Sequence, residues 1–496
     1  MLFNSFDYIV FLVLVFGLFW WLEPSTSGFA RRIAAGSASR VRALATTRTA
    51  LLLVASYLFY MSWNAVFILL IVASTLIDYG VGLALGRTER EGWRKALVGL
   101  SLAVNLGMLG LFKYLDFGLV AASQTAGLFG VEWTPELLDL ILPVGISFYT
   151  FQTLSYTIDV YRRRIPPHRD VLEFATYVAF FPQLVAGPIV RAKDFLPQFR
   201  GRPKLTGEGA QSGIYLIVRG LVKKVAIADF LASSLLDRVW DNPTAFSSGE
   251  VWVAVYAYTW QLYGDFSGYT DIARGSARLV GFELPENFDR PFNSTGPVEF
   301  WRVWHITLSR WVMDYLYIPL GGSQKGEYRT YANLFVSFLI IGVWHGAGWN
   351  FVLFGLWHAT GVTLNRAYRQ WRKSRGLPDR PPKGGWKRAL LVFISVHFFV
   401  VHWPLFRSPT VENIGAMYTQ MFAANDWASM RVDPWVFAVM LGVGLTHFCP
   451  RRWVDWFEER AHGLPWPVFT VCVVAIAAIL MHVAAGQQQP FIYFQF

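Results

Sequence analysis

Apolar segments of about 20 residues, the length a helix needs to cross a bilayer, recur along this 496-residue chain with short basic stretches between them. That alternation constrains the fold more than any other feature. Backbone in hydrocarbon satisfies its polar groups only as a helix or a closed barrel. Crossings are predicted near 6–22, 49–63, 65–86, 96–118 and 137–160. The stretches between them alternate in charge. Segment 23–48 carries Arg31, Arg32, Arg40, Arg42 and Arg48, and 87–95 carries Arg87, Arg90, Arg94 and Lys95. Segment 161–169 carries Arg162, Arg163, Arg164 and Arg169, whereas 121–136 has no Lys or Arg. The positive-inside rule then places the basic stretches in the cytoplasm and the N-terminus outside.

Composition agrees with a membrane chain. Hydrophobic residues make up 54% and charged residues 16%, against roughly 25% charged in an ordinary globular domain. The net charge of +11 raises the question of a nucleic-acid partner. The basic residues sit in short clusters between apolar runs, with no basic groove or recognised module, so no nucleic acid is expected. Cys449 and Cys472 offer neither metal-ligand spacing nor a disulfide framework. Segment 6–22 lacks a basic leader and a small-residue cleavage site, so it reads as a retained span.

The middle of the chain is less regular. Tyr177 to Val190 contains Pro182, Gly187 and Pro188 and is expected to be broken or re-entrant. Residues 212–240 mix apolar positions with Arg219, Lys223 and Lys224, the pattern of a helix lying at an interface. Residues 251–282 hold Asp265, Asp271 and Arg274, so they line something polar or bend back. Two apolar arms, 332–344 and 350–366, flank the sequence WHGAGWN, and 366–388 then carries nine Lys or Arg against Asp379 alone. Spans near 389–405, 435–449 and 466–484 follow. The expected fold is all-α and polytopic, with roughly ten or more transmembrane helices plus re-entrant and interfacial ones. No internal repeat points to an inverted-repeat transporter.

An ionisable side chain inside a span costs a few kcal/mol and is a functional candidate by default. Of the nine histidines, His305, His345 and His358 cluster. His345 follows an apolar run that starts at Ala332 and is broken only by Asn333 and Ser337. Gly342, Gly346 and Gly348 would let backbone and substrate come close. Trp344 and Trp349 can exclude water, and an imidazole held out of water stays neutral, the form a general base needs. The plainer alternative is an inert helix-capping histidine. His305 lies among Trp301, Trp304 and Trp311, either as a polar wall of a site or as part of an aromatic belt. His358, 13 residues after His345, would point to a different face if one helix held both. His397, His402, His447 and His482 read as structural. No Gly-rich phosphate loop, HExxH or G-x-S-x-G occurs, and no carboxylate stands at ligand spacing beside the histidines, so no metal is expected.

The run FWRVWHITLSRWVMDYLYIPLGG, Phe300 to Gly322, resembles a signature of the membrane-bound O-acyltransferase family. WHGAGWNFVLFGLWHA, Trp344 to Ala359, resembles its second signature, which holds the catalytic histidine. FFPQLVAGPIVR, Phe180 to Arg191, and the closing PFIYFQF are similar to the bacterial branch that O-acetylates alginate. That branch also includes cellulose and peptidoglycan acetylation proteins and, more distantly, a teichoic-acid D-alanylation protein. The resemblance implies one integral-membrane domain over 1–496, with N-terminal helices to 170, a core carrying both signatures over 171–366, and C-terminal helices from 367. It places the essential histidine at His345 and a second at His305, beside a central channel open to both membrane faces. Trp304, Asp314, Tyr315, Trp344, Trp349, Asn350 and His358 are the candidates for shaping the pocket.

The implied activity is acetyl transfer from cytoplasmic acetyl-CoA, a substrate and not a bound cofactor, to an extracytoplasmic polysaccharide such as alginate or to a partner protein. Periplasmic acetyltransferase and export proteins are the implied partners, and the bacterial inner membrane the implied location. Basic stretches 191–204 and 366–388 would attract the phosphates of CoA, or serve topology alone. D-alanyl or other acyl transfer, or a non-enzymatic glycan transporter or scaffold, are the competing readings.

Overall fold

The computed structural model describes residues 1–185, 187–201, 205–377, 382, 384–423, 430–484, 489 and 491. Most of the closing PFIYFQF therefore lies outside the described residues, as do Ala186, residues 202–204 of the first basic stretch, and 378–381 and 383 of the second. The described residues form helices joined by turns, and their only β pairing is one isolated bridge between Phe288 and Trp304. The all-α expectation holds.

Five described helices are long and apolar enough to cross a membrane: Ala38–Met61, Ala65–Leu85, Glu91–Leu128, Gly385–Arg407 and Trp466–Val483. Phe6–Trp21 and Pro434–Phe448 are shorter apolar helices. Each of the seven overlaps an expected span, but Ala38–Met61 begins well inside the expected basic stretch 23–48 and Glu91–Leu128 runs past the expected 96–118. The expected span 137–160 does not form as such. Its helix is Ile146–Tyr161, and every residue of it except Ile158 and Tyr161 is buried. The helix starts after Gly145, whose φ of 75° is left-handed and where a Cβ would lie 2.5 Å from the Leu184 carbonyl oxygen. Only glycine fits such a corner.

The chain packs as two compact units, residues 1–217 with 270–285, and residues 218–269 with 286–496. In the first unit, Asp78 on the Ile68–Leu85 helix is fully buried. Among the described residues it is answered by donors without charge. Ser101 Oγ, Asn105 Nδ2 (2.8 Å) and Thr157 Oγ1 (2.9 Å) all donate to its carboxylate, tying three helices together. Removing the acceptor strands buried donors, at roughly 1–3 kcal/mol each. Asp78→Ala is thus expected to lower the thermal midpoint of the purified protein much more than Asp78→Asn, which keeps one acceptor oxygen. Equal midpoints for Asp78→Ala and wild type would refute this.

Two arginines counted above as loop charges are buried instead. Arg48 pairs with Glu23, its guanidinium 3.9 Å from the Phe19 ring centroid. Arg94 donates to the carbonyls of Leu85 (2.7 Å) and Tyr161 (2.6 Å) at two helix C-termini, where a cation is favoured.

Of the two expectations for residues 251–282, lining something polar is the one the structure bears out. Residues 251–282 do not bend back: Ser248–Leu279 is one helix of 32 residues. The stretch 212–240, expected to be a helix at an interface, is helical and contains two π-helical segments, Val222–Asp229 and Ala232–Leu236. Such turns shift the following side chains out of α register. Lys224 there is 1% exposed and pairs with Asp229 (2.8 Å) and Asp265 (2.7 Å), so Asp265 faces a buried cation.

Candidate functional site

The Glu327–His345 and Trp349–Ser374 helices form an antiparallel hairpin turning at Gly346-Ala347-Gly348. Its glycines serve the hairpin itself. A Cβ on Gly342 would lie 2.5 Å from both Gly355 Cα and the Phe351 carbonyl oxygen, and one on Gly346 would overlap the Phe351 ring. The close approach expected of a substrate is made by the second helix. Small residues at helix contacts permit this within membranes.

The reversal also decides where His358 goes. His345 is the last residue of the first helix and His358 lies within the second, so the one-helix premise that separated them fails. Both line a cavity of about 10 Å³ together with His402, within walls that include Trp304, Phe354, Phe399, Trp403 and Phe406. That is room for about one water. His345 is 3% exposed, with ring centroids 5.1 Å from Trp344, 5.4 Å from Phe354 and 5.3 Å from Phe406.

His358 and His402 form a directed hydrogen-bonded pair. Trp301 Nε1 donates to His358 Nδ1 at 3.4 Å, so that nitrogen carries no proton and the ring is neutral. Its proton sits on Nε2, which donates to His402 Nε2 at 3.3 Å. His402 lies on the 385–407 span, remote in sequence, and read as structural. Nothing local in the sequence marks it for the cavity. His402→Leu is expected to strand the His358 donor at roughly 1–3 kcal/mol, read as a lower thermal midpoint than wild type; no change would show the pair to be incidental.

His305 is fully buried beside Trp344. Its ring centroid lies 6.0 Å from Trp344 and 4.7 Å from Phe266, and it does not line the cavity. Its backbone adopts the left-handed region, φ 42°, immediately before the Ile306–Val312 helix. Histidine tolerates this better than most residues, still at a cost. Asn287 holds the conformation. Its carbonyl accepts from Ile306 N (3.0 Å), and its Oδ1 accepts from Thr307 N (3.1 Å) and Oγ1 (2.8 Å). No local pattern in the sequence singles out this buried asparagine. Phe266 also contacts Phe491, which is fully buried and 4.2 Å from the Tyr269 ring.

The other sequence candidates scatter. Trp344, 4% exposed, is a ring neighbour of both His305 and His345. Trp349 is 43% exposed and outside the cavity wall. Asn350 Nδ2 donates to the Ser408 carbonyl at 3.1 Å and so fixes the start of its helix. Asp314 and Tyr315 lie on the π-helical turn Met313–Tyr317, away from the cavity, with Tyr315 buried against Trp311.

The chain matches the membrane-bound O-acyltransferase family over residues 163–401. It is 38% identical over 477 residues to the probable alginate O-acetylase AlgI of Pseudomonas putida, covering 90% of this chain and 94% of that protein. Identity to the peptidoglycan O-acetyltransferase of Helicobacter pylori is 36% over 402 residues, 75% of this chain and 73% of that one. A teichoic acid D-alanyltransferase of Streptococcus thermophilus is 27% identical over 297 residues, 56% of this chain and 70% of its own length.

Proposed function

This chain belongs to the membrane-bound O-acyltransferase family, and from that membership we propose that it moves acetyl groups from cytoplasmic acetyl-CoA to an extracytoplasmic polysaccharide or partner protein. That it is a multi-pass membrane O-acyltransferase follows from the family and from its apolar helices. An acyltransferase family leaves the transporter and scaffold readings without support. The acetyl group, the donor and the acceptor are the finer assignments. Relatives named as O-acetylating enzymes support the acetyl group and a glycan acceptor, and the thioester donor rests on this proposal alone. The less similar D-alanyltransferases make D-alanyl transfer the nearest competitor.

The observation that carries the mechanism is His345, buried at a helix end inside an aromatic cavity. As general base it would take the proton of the acceptor hydroxyl while that oxygen attacks the thioester carbonyl. The C–S bond breaks, the proton returns to the thiolate, and the products are an acetyl ester and free CoA. With space for about one water, the cavity must widen before it admits a thioester. So small a resting cavity also limits wasteful hydrolysis of the donor.

His305 is assigned to the second polar wall, beside Trp344. The basic stretches are assigned to attracting the CoA phosphates, which places them on the cytoplasmic side of the inner membrane and the N-terminus outside. Periplasmic acetyltransferase and export proteins would complete delivery to the polymer. Inverted membrane vesicles supplied with radiolabelled acetyl-CoA and acceptor test the assignment. Label in the acceptor with stoichiometric CoA release supports it. Turnover of a D-alanyl carrier alone would move the enzyme to the competing class.

A further inference from the structure

A second cavity, of about 560 Å³, lies away from the histidine site along the first turns of the Gly385–Val401 helix. Its size falls within the range of roughly 300–1,000 Å³ typical of ligand pockets. Its polarity is uneven. Val392, Phe393, Val396 and Phe448 make an apolar floor, Arg388 stands at one end, and Tyr256 with His397 at the other. From Arg388 to His397 the helix rises about 14 Å at ~1.5 Å per residue.

The two ends differ in what they leave unsatisfied. His397 Nδ1 donates to the Phe393 carbonyl at 2.7 Å and its Nε2 is hydrogen-bonded to the Tyr256 hydroxyl, so the pair is closed on itself. Arg388 uses Nη2 on Asn293, at 2.9 Å to the carbonyl and 3.4 Å to Oδ1. Among the described residues no carboxylate pairs with its guanidinium, whose five N–H groups favour a forked anion such as phosphate. Trp386, 72% exposed, marks the same end as interfacial. Arg388 is itself the last of the nine Lys or Arg over 366–388, a setting that draws anionic headgroups.

We propose that this groove binds one anionic phospholipid, its phosphate on Arg388 and one acyl chain along Val392, Phe393 and Val396 toward the closed Tyr256–His397 pair. The occupant must be an amphiphile with charge at one end only, because the groove offers unmet polarity at one end only. Arg388 closes the basic stretch assigned to attracting the CoA phosphates, so added acetyl-CoA is included in the test. The other lining residues take no part in the acetyl-transfer reading.

The test uses the full-length protein in nanodiscs of equal phosphatidylglycerol and phosphatidylcholine, followed by native mass spectrometry of the released protein. Wild type is expected to retain one lipid, phosphatidylglycerol over phosphatidylcholine by roughly tenfold. Arg388→Gln should bring that ratio close to one, Arg388→Lys should keep part of it, and Lys387→Gln should leave it unchanged. Val392→Trp, which fills the floor, should lose the retained lipid of either kind while staying monodisperse. No retained lipid, a wild-type ratio near one, or a ratio insensitive to Arg388→Gln overturns the proposal. Displacement of the lipid by added acetyl-CoA overturns it as well, since the groove would then belong to the acyl donor.

Discussion

His345→Ala is expected to lower acceptor-dependent CoA release from acetyl-CoA by about 10²- to 10⁴-fold, the contribution of a positioned general base. The variant should remain monodisperse with a thermal midpoint near wild type. The imidazole packs against Trp344, Phe354 and Phe406, and the small space left behind adjoins a cavity already present. The comparison that matters is with His402→Leu, whose expected effect falls on stability because it breaks the His358 hydrogen bond. Transfer surviving in His345→Ala at more than about a tenth of wild type would remove this residue as the base. An equal loss in both variants, with both midpoints lowered, would point to collapse of the cavity and not to proton transfer.

Gly342→Val is expected to have the largest structural effect of any single change in the hairpin. The atoms a Cβ would meet, Gly355 Cα and the Phe351 carbonyl oxygen at 2.5 Å, are backbone and cannot rotate away. The two helices must separate, which displaces His345 from Phe354 and His358 together. Overpacking of this kind costs typically 1–3 kcal/mol and more where the backbone has to move. Purified Gly342→Val should aggregate or melt well below wild type, with activity lost in proportion to folded protein. Gly99, where a Cβ would meet nothing within 4 Å, supplies the control as Gly99→Val. A Gly342→Val protein as stable and active as the control would show that the hairpin contact is not tight.

The histidine chemistry was only partly legible beforehand. His345 stood out because its local setting, an apolar run ending in Trp344-His345-Gly346, is a property of contiguous sequence. His358 was assigned to another face on the assumption of one continuous helix. The chain reverses between Gly346 and Gly348, and that reversal returns His358 to the His345 cavity. His402 and Asn287 act through partners far along the chain, on His358 and on Thr307. No local pattern announces such pairings. Trp349 and Asn350 show the converse. They adjoin the histidine in sequence, yet one is largely exposed and the other binds Ser408.

The sequence alone determined that this chain is helical and repeatedly membrane-embedded, because hydropathy over a 20-residue window is a sum over neighbours and needs no knowledge of packing. It also determined the hairpin arms, through their length and the glycines between them. Which charges are buried was decided by tertiary structure. Arg48, Arg94 and Lys224 carry the same residue types as topological loop charges, but a carboxylate or a helix-end carbonyl elsewhere in the fold receives each of them. The cavity belongs to the same class of fact. It exists where a hairpin and a separate span set three imidazoles among aromatic rings, and burial of that kind depends on which surfaces meet in space.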